Sequence, residues 1–328
     1  MKKDVNLRQL IFFKPAFAHK PWGGTGLREE FGYDEPGDDI GECWGISAYP
    51  GKESTVADGD YAGLNLGELW RDHRELFGDV QGEEFPLLTK IITAGDDLSV
   101  QVHPDDAYAS EHENGARGKT ECWYILDAKP GSRLAIGHNA ATREELTEMI
   151  EDDRWDELIR YTCVEPGDFV QIPSGTVHAI GGGVTLLETQ QNSDITYRLY
   201  DYDRITDGSL RPLHKKQSEA VITVPAPEIS GMLLHDTSAD DVVRLMTCEY
   251  YEVYRITCRD GLGVDFERPF VIMSVVEGEG TISVCEDDKQ DDADIRPVRK
   301  GDHFIVSSGT GMLRMSGSFR IIASCLPQ

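Results

Sequence analysis

The chain has 328 residues, and its 59 acidic against 32 basic side chains leave a net charge of −27 at neutral pH. That length supports one large core or two modest ones, and a hydrophobic fraction of 39% places the chain among folded globular proteins rather than disordered ones. The acidic excess argues against nucleic acid and anionic membrane surfaces as partners, since both demand a basic footprint. It also repels an anionic small substrate unless a local basic island overrides it.

At the N-terminus, MKKDVNLRQLIFFKPAF is broken by charges before any apolar run reaches signal-peptide length. No stretch is apolar for long enough to cross a bilayer. The seven cysteines, Cys43, Cys122, Cys163, Cys248, Cys258, Cys285 and Cys325, are widely spaced and never form a Cys-x-x-Cys pair. A reduced, cytoplasmic protein is the expectation.

Along the chain, Leu66 to Phe77 places Leu69, Trp70, Leu76 and Phe77 at helical spacing. Short β-branched and aromatic runs follow at Leu98 to Val102 and Cys122 to Leu126. A second helix is expected from Thr142 to Tyr161. There Thr142-Arg-Glu-Glu145 has the form of a capping box, and Leu146, Met149, Ile150, Leu158 and Ile159 build an apolar stripe. Its acidic outer face needs only solvent. Further strand runs come at Phe169 to Ile172, Tyr251 to Thr257, Phe270 to Val276 and Phe304 to Val306, most of them bounded by Gly or Pro. The fold class expected is mainly β with a few helical insertions.

The chain also repeats itself. Gly167-Asp-Phe-Val-Gln-Ile-Pro173-Ser-Gly175-Thr-Val-His178 is echoed 134 residues later by Gly301-Asp-His-Phe-Ile-Val-Ser307-Ser-Gly309-Thr-Gly-Met312. A turn at Ala128-Lys-Pro-Gly131 resembles Glu277-Gly-Glu-Gly280 at an offset of 149, the helical insertion accounting for the difference. Two related β-barrels in tandem are therefore expected, residues 1–235 and 236–328. The second copy has Met312 where the first has His178.

Gln101 and His103 lie two apart in a strand-like run, so their side chains share a face. If Glu121 and His178 occupy neighbouring strands, two imidazoles, a carboxylate and an amide oxygen converge. That donor set suits a borderline cation such as zinc. A lone strand histidine is more often a hydrogen-bonded core residue, but His103 shares its face with Gln101 and His178 sits in a Gly-rich hairpin. Cys122 points to the face opposite Glu121 and reads as apolar packing.

These residues resemble a family. Gly167-x5-Pro173-x-Gly175-x2-His178 matches the second signature of the cupin superfamily, and Gly95-x5-Gln101-x-His103 resembles the first. The segments Phe85-Pro-Leu-Leu-Thr-Lys-Ile-Ile, Leu98-Ser-Val-Gln-Val-His-Pro-Asp-Asp, Lys119-Thr-Glu-Cys-Trp-Tyr-Ile-Leu and Ser193-Asp-Ile-Thr-Tyr-Arg198 resemble type I phosphomannose isomerases of the short bacterial form. Lys14-Pro15, Trp22-Gly-Gly24 and Gly41-Glu-Cys-Trp44 fit the same pattern. The specific motifs span about residues 10 to 220, and beyond them the likeness is one of general architecture.

The resemblance implies two cupin-type barrels, the second without metal ligands, and one zinc ion per chain held by Gln101, His103, Glu121 and His178. It implies interconversion of mannose 6-phosphate and fructose 6-phosphate by proton transfer between C1 and C2 through an enediol, with Arg198 as the catalytic arginine. Lys119 and Glu188 are the candidates for moving the proton. A basic island follows the hairpin: between Tyr197 and Gln217, five basic residues face three acidic ones, and Arg204, Arg211 or Lys215 is expected to hold the phosphate. Much of the acidity lies instead between Glu144 and Glu157 and in residues 286–294. Arg198 also reads as an ion-pair partner of Asp194, Asp201 or Asp203. Two other readings stand beside the isomerase: a non-haem iron oxygenase with a two-His-one-carboxylate site, and a non-catalytic sugar-binding cupin. The family often has an acidic residue after the tryptophan matched by Trp44, where this chain has Gly45. No motif specifies an oligomeric state.

Overall fold

The computed structural model describes residues 8–206, 208–285 and 295–328; the acidic stretch 286–294 and Asp207 lie outside them. The described chain is mainly β, as expected. A seven-stranded antiparallel sheet runs in the order Leu233–His235, Asp168–Ile172, Glu121–Ala128, Val184–Gln191, Leu87–Thr93, Ile40–Ile46, Ala16–Gly24. A five-stranded sheet runs Tyr197–Tyr200, Val100–Val102, His178–Ile180, Arg133–His138, Ile159–Cys163. A nine-stranded sheet gathers the C-terminal strands, and Leu10–Lys14 from the start of the chain pairs there with His303–Val306.

The seven-stranded sheet is buried on both faces, which explains why Leu87–Thr93 and Val184–Gln191 read as unbroken buried runs. Side chains alternate between the two faces. Cys43, Ile91, Cys122, Tyr124 and Leu187 point into a core shared with Tyr251, Ile272 and Ile322 of the nine-stranded sheet. Ile92, Trp123, Ile125 and Leu186 point the other way, against Leu134, Ile136 and Ile180 of the five-stranded sheet. Glu42, Lys90, Glu121 and Glu188 occupy that second face by the same alternation. Each fully buried Leu or Ile contributes about 1.5–3 kcal/mol. The apolar neighbours of each strand can therefore offset charged groups that cost several kcal/mol each to bury.

The helices depart from expectation in ways their residues explain. Leu66–Asp72 is an α-helix with a capping box from Asn65 and Glu68, but the backbone breaks at His73 and Arg74–Phe77 is a 3-10 turn. The long helix expected over Thr142 to Tyr161 is three elements: Arg143–Glu151, a turn with Asp153 in the left-handed region, Trp155–Leu158, and then the strand Ile159–Cys163. Leu158 and Ile159 still join the core of Leu146, Met149 and Ile150. Thr142 accepts from the Glu145 N–H, but the Glu145 carboxylate accepts from Ala141 rather than Thr142, so the box is not reciprocal. Gly26–Phe31, Asp106–His112 and Lys215–Val221 are helices of six or seven residues, too short to show a period.

The hairpin echo is present in the backbone. Gly167 and Gly301 have φ of 97° and 96°, and Gly175 and Gly309 have 80° and 72°. The second echo is not a shared turn. Gly131 sits in a turn, whereas Glu277 to Gly280 lies inside the strand Val271–Val284, where the register slips between Val275 and Glu277. No described helix is long and apolar enough to cross a membrane, and all seven cysteines are free.

Candidate active site

Strand pairing assembles the site. His178 pairs with Gln101 and Arg198 pairs with Gln101 in the five-stranded sheet, so these three residues stand side by side. Glu121 starts its strand in the facing sheet, where Glu188 pairs with both Lys90 and Trp123. His178 Nε2 lies 3.3 Å from Glu121 Oε1, His103 Nε2 lies 3.4 Å from Glu121 Oε2, and Gln101 Nε2 lies 3.4 Å from His178 Nε2. The four residues brought together by spacing are thus together in space.

Their outer contacts fix the orientation of the rings. His103 Nδ1 donates to the Ile195 carbonyl at 2.7 Å and His178 Nδ1 to the Thr176 carbonyl at 2.8 Å. Each ring therefore turns an Nε2 lone pair toward Glu121, the arrangement in which backbone acceptors orient metal-ligating histidines. Exchanging the amide atoms of Gln101 turns its oxygen to the same point. Glu121 Oε1 is buried without a hydrogen-bond partner, an expense that a cation removes. The ligand atoms of His103, Glu121 and His178 all lie within 4.8 Å of one another. This donor set fits a divalent ion.

Electrostatics point the same way. Burial, with help from Lys119, pushes the His103 imidazole down to about 3, and burial lowers His178, so both are neutral ligands near pH 7. Burial opposes the charge on Glu121, but Lys119 and the two histidines outweigh it and hold the carboxyl well below its usual range. The Lys119 ammonium contacts Glu121 Oε2 and lies 3.2 Å from His103 Nε2. Glu188 is raised by burial and then by Glu121, against Lys119 and Lys90. Its Oε1 accepts from Trp123 Nε1 at 3.2 Å, while Oε2 has no hydrogen bond.

A cavity of about 210 Å³ opens beside this cluster, lined by Gln101, Lys119, Glu188 and Arg198 from the expected set. Arg198 forms no ion pair with Asp194, Asp201 or Asp203. It donates to the Pro212 carbonyl at 3.0 Å and its buried Nε has no partner. Burial and the neighbouring Arg211 lower its pKa. Arg211 also lines the cavity, held by two hydrogen bonds to Asp201. Arg204 and Lys215 are placed elsewhere: Arg204 donates to the Asp97 carbonyl at 2.6 Å, and Lys215 pairs with Asp153 at 2.8 Å beside Trp155. A larger cavity of about 520 Å³ near Pro269 and Ser307–Gly311 contains none of these groups, so size alone misplaces the site.

Lys20, Glu42 and Lys90, to which the sequence analysis gave no role, also line the cavity, as does Asp194, expected only as a partner of Arg198. Lys90 lies 3.4 Å from Glu188, 3.6 Å from Asp194 and 4.1 Å from the centre of the Trp44 ring. Burial opposes its charge, yet Glu188, Glu42 and Asp194 outweigh it and raise its pKa. The signal was legible: a lone lysine inside Leu87-Leu-Thr-Lys-Ile-Ile-Thr93 has no apolar reason to be there.

Comparison with known proteins places the chain in a family. Residues 10–138 match the model of the phosphomannose isomerase type I catalytic domain, and residues 241–326 that of the mannose-6-phosphate isomerase cupin domain. Mannose-6-phosphate isomerase ManA of Bacillus subtilis is 48% identical over 320 residues, covering 96% of this chain and 98% of that protein. This chain belongs to the type I phosphomannose isomerases. A second relative in the family, mannose-6-phosphate isomerase of Streptococcus mutans, is 43% identical over 96% of this chain and 97% of its own. The crystal structure of mannose 6-phosphate isomerase from Bacillus subtilis superposes with a TM-score of 0.89 at 43% identity, covering 97% of this chain and 99% of that one. A mutant phosphomannose isomerase from Salmonella typhimurium shares the fold, with a TM-score of 0.78 at 14% identity over 98% of this chain and all of that one.

Proposed function

We propose that the chain interconverts mannose 6-phosphate and fructose 6-phosphate with one zinc ion held by Gln101, His103, Glu121 and His178. The observation that carries this reading is the convergence of two neutral Nε2 lone pairs and a buried, unpartnered carboxylate oxygen beside a cavity that also contains an unpaired arginine. Zinc in that position supplies a Lewis acid for the carbonyl and hydroxyl oxygens at C1 and C2.

The side chains do the rest. Arg198 and Arg211 grip the phosphate, and that remote contact fixes C1 and C2 over the reacting groups. Glu188, its pKa raised by burial and by Glu121, takes the proton from C2 while O1 takes one from solvent, giving the enediol; O2 then gives its proton to solvent and Glu188 delivers its proton to C1, giving the ketose. Lys119 lies 3.9 Å from Glu188 and against Glu121, where it stabilises the carboxylate after each return of the proton. Trp123 holds Glu188 in place through Oε1, and Lys90, 3.4 Å from Oε2, holds the other oxygen. The reading assigns residues 1–235 to a metal-bearing cupin barrel and 236–328 to a second barrel without ligands, in a cytoplasmic enzyme.

The test is a coupled assay for fructose 6-phosphate from mannose 6-phosphate, before and after chelation, with metal content measured. The expected result is one zinc per chain, loss of turnover on its removal and recovery on its return. Turnover by a verified metal-free chain overturns the zinc assignment. Iron in its place together with oxygen consumption favours the oxygenase, and binding without turnover the sugar-binding cupin.

A further inference from the structure

The seven-stranded sheet continues beyond the catalytic groups. From Glu188, the adjacent strand carries Lys90, the next carries Glu42 and Trp44, and the last carries Lys20. Glu42 is almost wholly buried, yet it lines the cavity. Its Oε2 accepts from Trp44 Nε1 at 2.9 Å and faces Lys20 Nζ at 3.2 Å. Its Oε1 takes no hydrogen bond from the described residues. Burial opposes the charge on Glu42, but Lys90 and then Lys20 hold its carboxyl below the usual range, so it is ionised at neutral pH. A carboxylate clamped through one oxygen, with the other left over in a narrow polar cavity, is an acceptor prepared for a donor on the ligand.

From these observations we infer that Glu42 is a specificity-determining residue, whose Oε1 accepts a hydrogen bond from a hydroxyl on C4 or C5 of the sugar phosphate. Lys20 and Trp44 are its positioning residues. Strand spacing supports the choice of hydroxyl. Glu42 is two strands from Glu188, about 10 Å across the sheet and, because it pairs with Ile92 rather than Lys90, about 7 Å further along it, so it meets the part of the substrate beyond the reacting C1 and C2. Glu42 makes the site read the polyol chain as well as the phosphate. A bound substrate without that hydroxyl covers the Glu42 oxygen and leaves it unpaired, and such a penalty discriminates more sharply than shape.

The inference rests on the isomerase reading, and its test separates the two. Kinetics are measured for the zinc-loaded enzyme with mannose 6-phosphate and its 4-deoxy analogue, and with fructose 6-phosphate and its 5-deoxy analogue. In the unsubstituted chain, one of the two analogues is expected to lose about 10- to 100-fold in kcat/KM against its parent. Glu42→Gln is expected to lower kcat/KM for the parent by about tenfold while leaving that analogue unchanged, so the discrimination shrinks. Lys20→Gln, which frees Oε2 without touching the acceptor, is expected to raise KM for the parent with little change in kcat. An equal loss on parent and analogues in Glu42→Gln shows a structural role and overturns the inference. So does a native chain that treats all four substrates alike. A native chain that turns over neither parent overturns the isomerase reading and this inference with it.

Discussion

Gly45→Ala is expected to destabilise the protein although it adds one methyl group. A Cβ at Gly45 would lie 2.4 Å from His303 Nδ1 and 2.5 Å from Cε1, closer than atoms tolerate. The ring is held on both sides. Tyr33 donates its hydroxyl to the Gly301 carbonyl at 2.7 Å, so it accepts from His303 Nε2–H at 3.0 Å. Ser274 Oγ, at 2.8 Å, therefore donates to Nδ1. Overpacking costs about 1–3 kcal/mol, and a ring pushed aside loses one or two hydrogen bonds of about 1 kcal/mol each. Against this, Gly→Ala gains only about 0.4–1 kcal/mol from the unfolded chain. The net loss is about 2 kcal/mol. Urea unfolding of Gly45→Ala, His303→Ala and the double variant measures it as a cycle. The double variant should be more stable than the sum of the single losses implies, by about 1–2 kcal/mol. Additive losses, or a Gly45→Ala protein within about 0.5 kcal/mol of the parent, would refute the steric account. The same contact explains why this chain has no acidic residue after Trp44: a side chain there has nowhere to go.

His303 also makes stability depend on pH. Burial lowers its imidazole to about 4, below the unfolded value of 6.5, so the unfolded chain binds the extra proton first. Its contribution is complete above pH 6.5 and is lost as pH falls toward 4, at about 1.4 kcal/mol per unit. Comparing the native chain with His303→Gln by urea unfolding across that window should show converging stabilities, and parallel curves would exclude it. His103→Ala and His178→Ala should lose zinc and turnover together, while Arg198→Ala keeps zinc and loses about 10²–10³-fold in kcat/KM; metal analysis beside the coupled assay separates these outcomes. With 27 excess negative charges, the melting temperature should rise by about 2–4 °C between 0.05 and 0.5 M sodium chloride as self-repulsion is screened. A fall on adding salt would place the dominant electrostatics in attractive pairs.

The candidate metal donors were readable in the sequence because much of their geometry is local. Gln101 and His103 share a strand face, and His178 ends a hairpin whose glycines adopt positive φ in both copies. Glu121 needed a neighbour to give it meaning, and the register Gln190↔Glu121 places it next to the strand that bears Glu188. What the sequence concealed was set by tertiary packing. Nothing local separates Ile159-Arg-Tyr-Thr-Cys163 from the helix before it; the edge of Arg133–His138 decides, by pairing with it. Charge counting found the basic island but not its orientation. Arg211 faces the cavity because Asp201 holds it there, while Lys215 begins a helix and turns to Asp153.

Net charge was therefore the wrong scale for judging an anionic substrate. The cavity lining has five basic groups, Lys20, Lys90, Lys119, Arg198 and Arg211, against three acidic ones, Glu42, Glu188 and Asp194. It is locally positive inside an acidic protein. Within that lining the charges alternate across the sheet, so all three lysines already have a carboxylate partner: Lys90 in Glu188 and Asp194, Lys119 in Glu121, Lys20 in Glu42. Arg211 is likewise committed to Asp201. Arg198 has no carboxylate partner, and it is the cation from which a phosphate gains most, because binding there breaks no existing ion pair. Replacing Arg198 by Lys keeps the charge but loses the fork that reaches two phosphate oxygens. That substitution should therefore raise KM more than it lowers kcat. A kcat loss at unchanged KM would move Arg198 from holding the phosphate to the proton transfer itself.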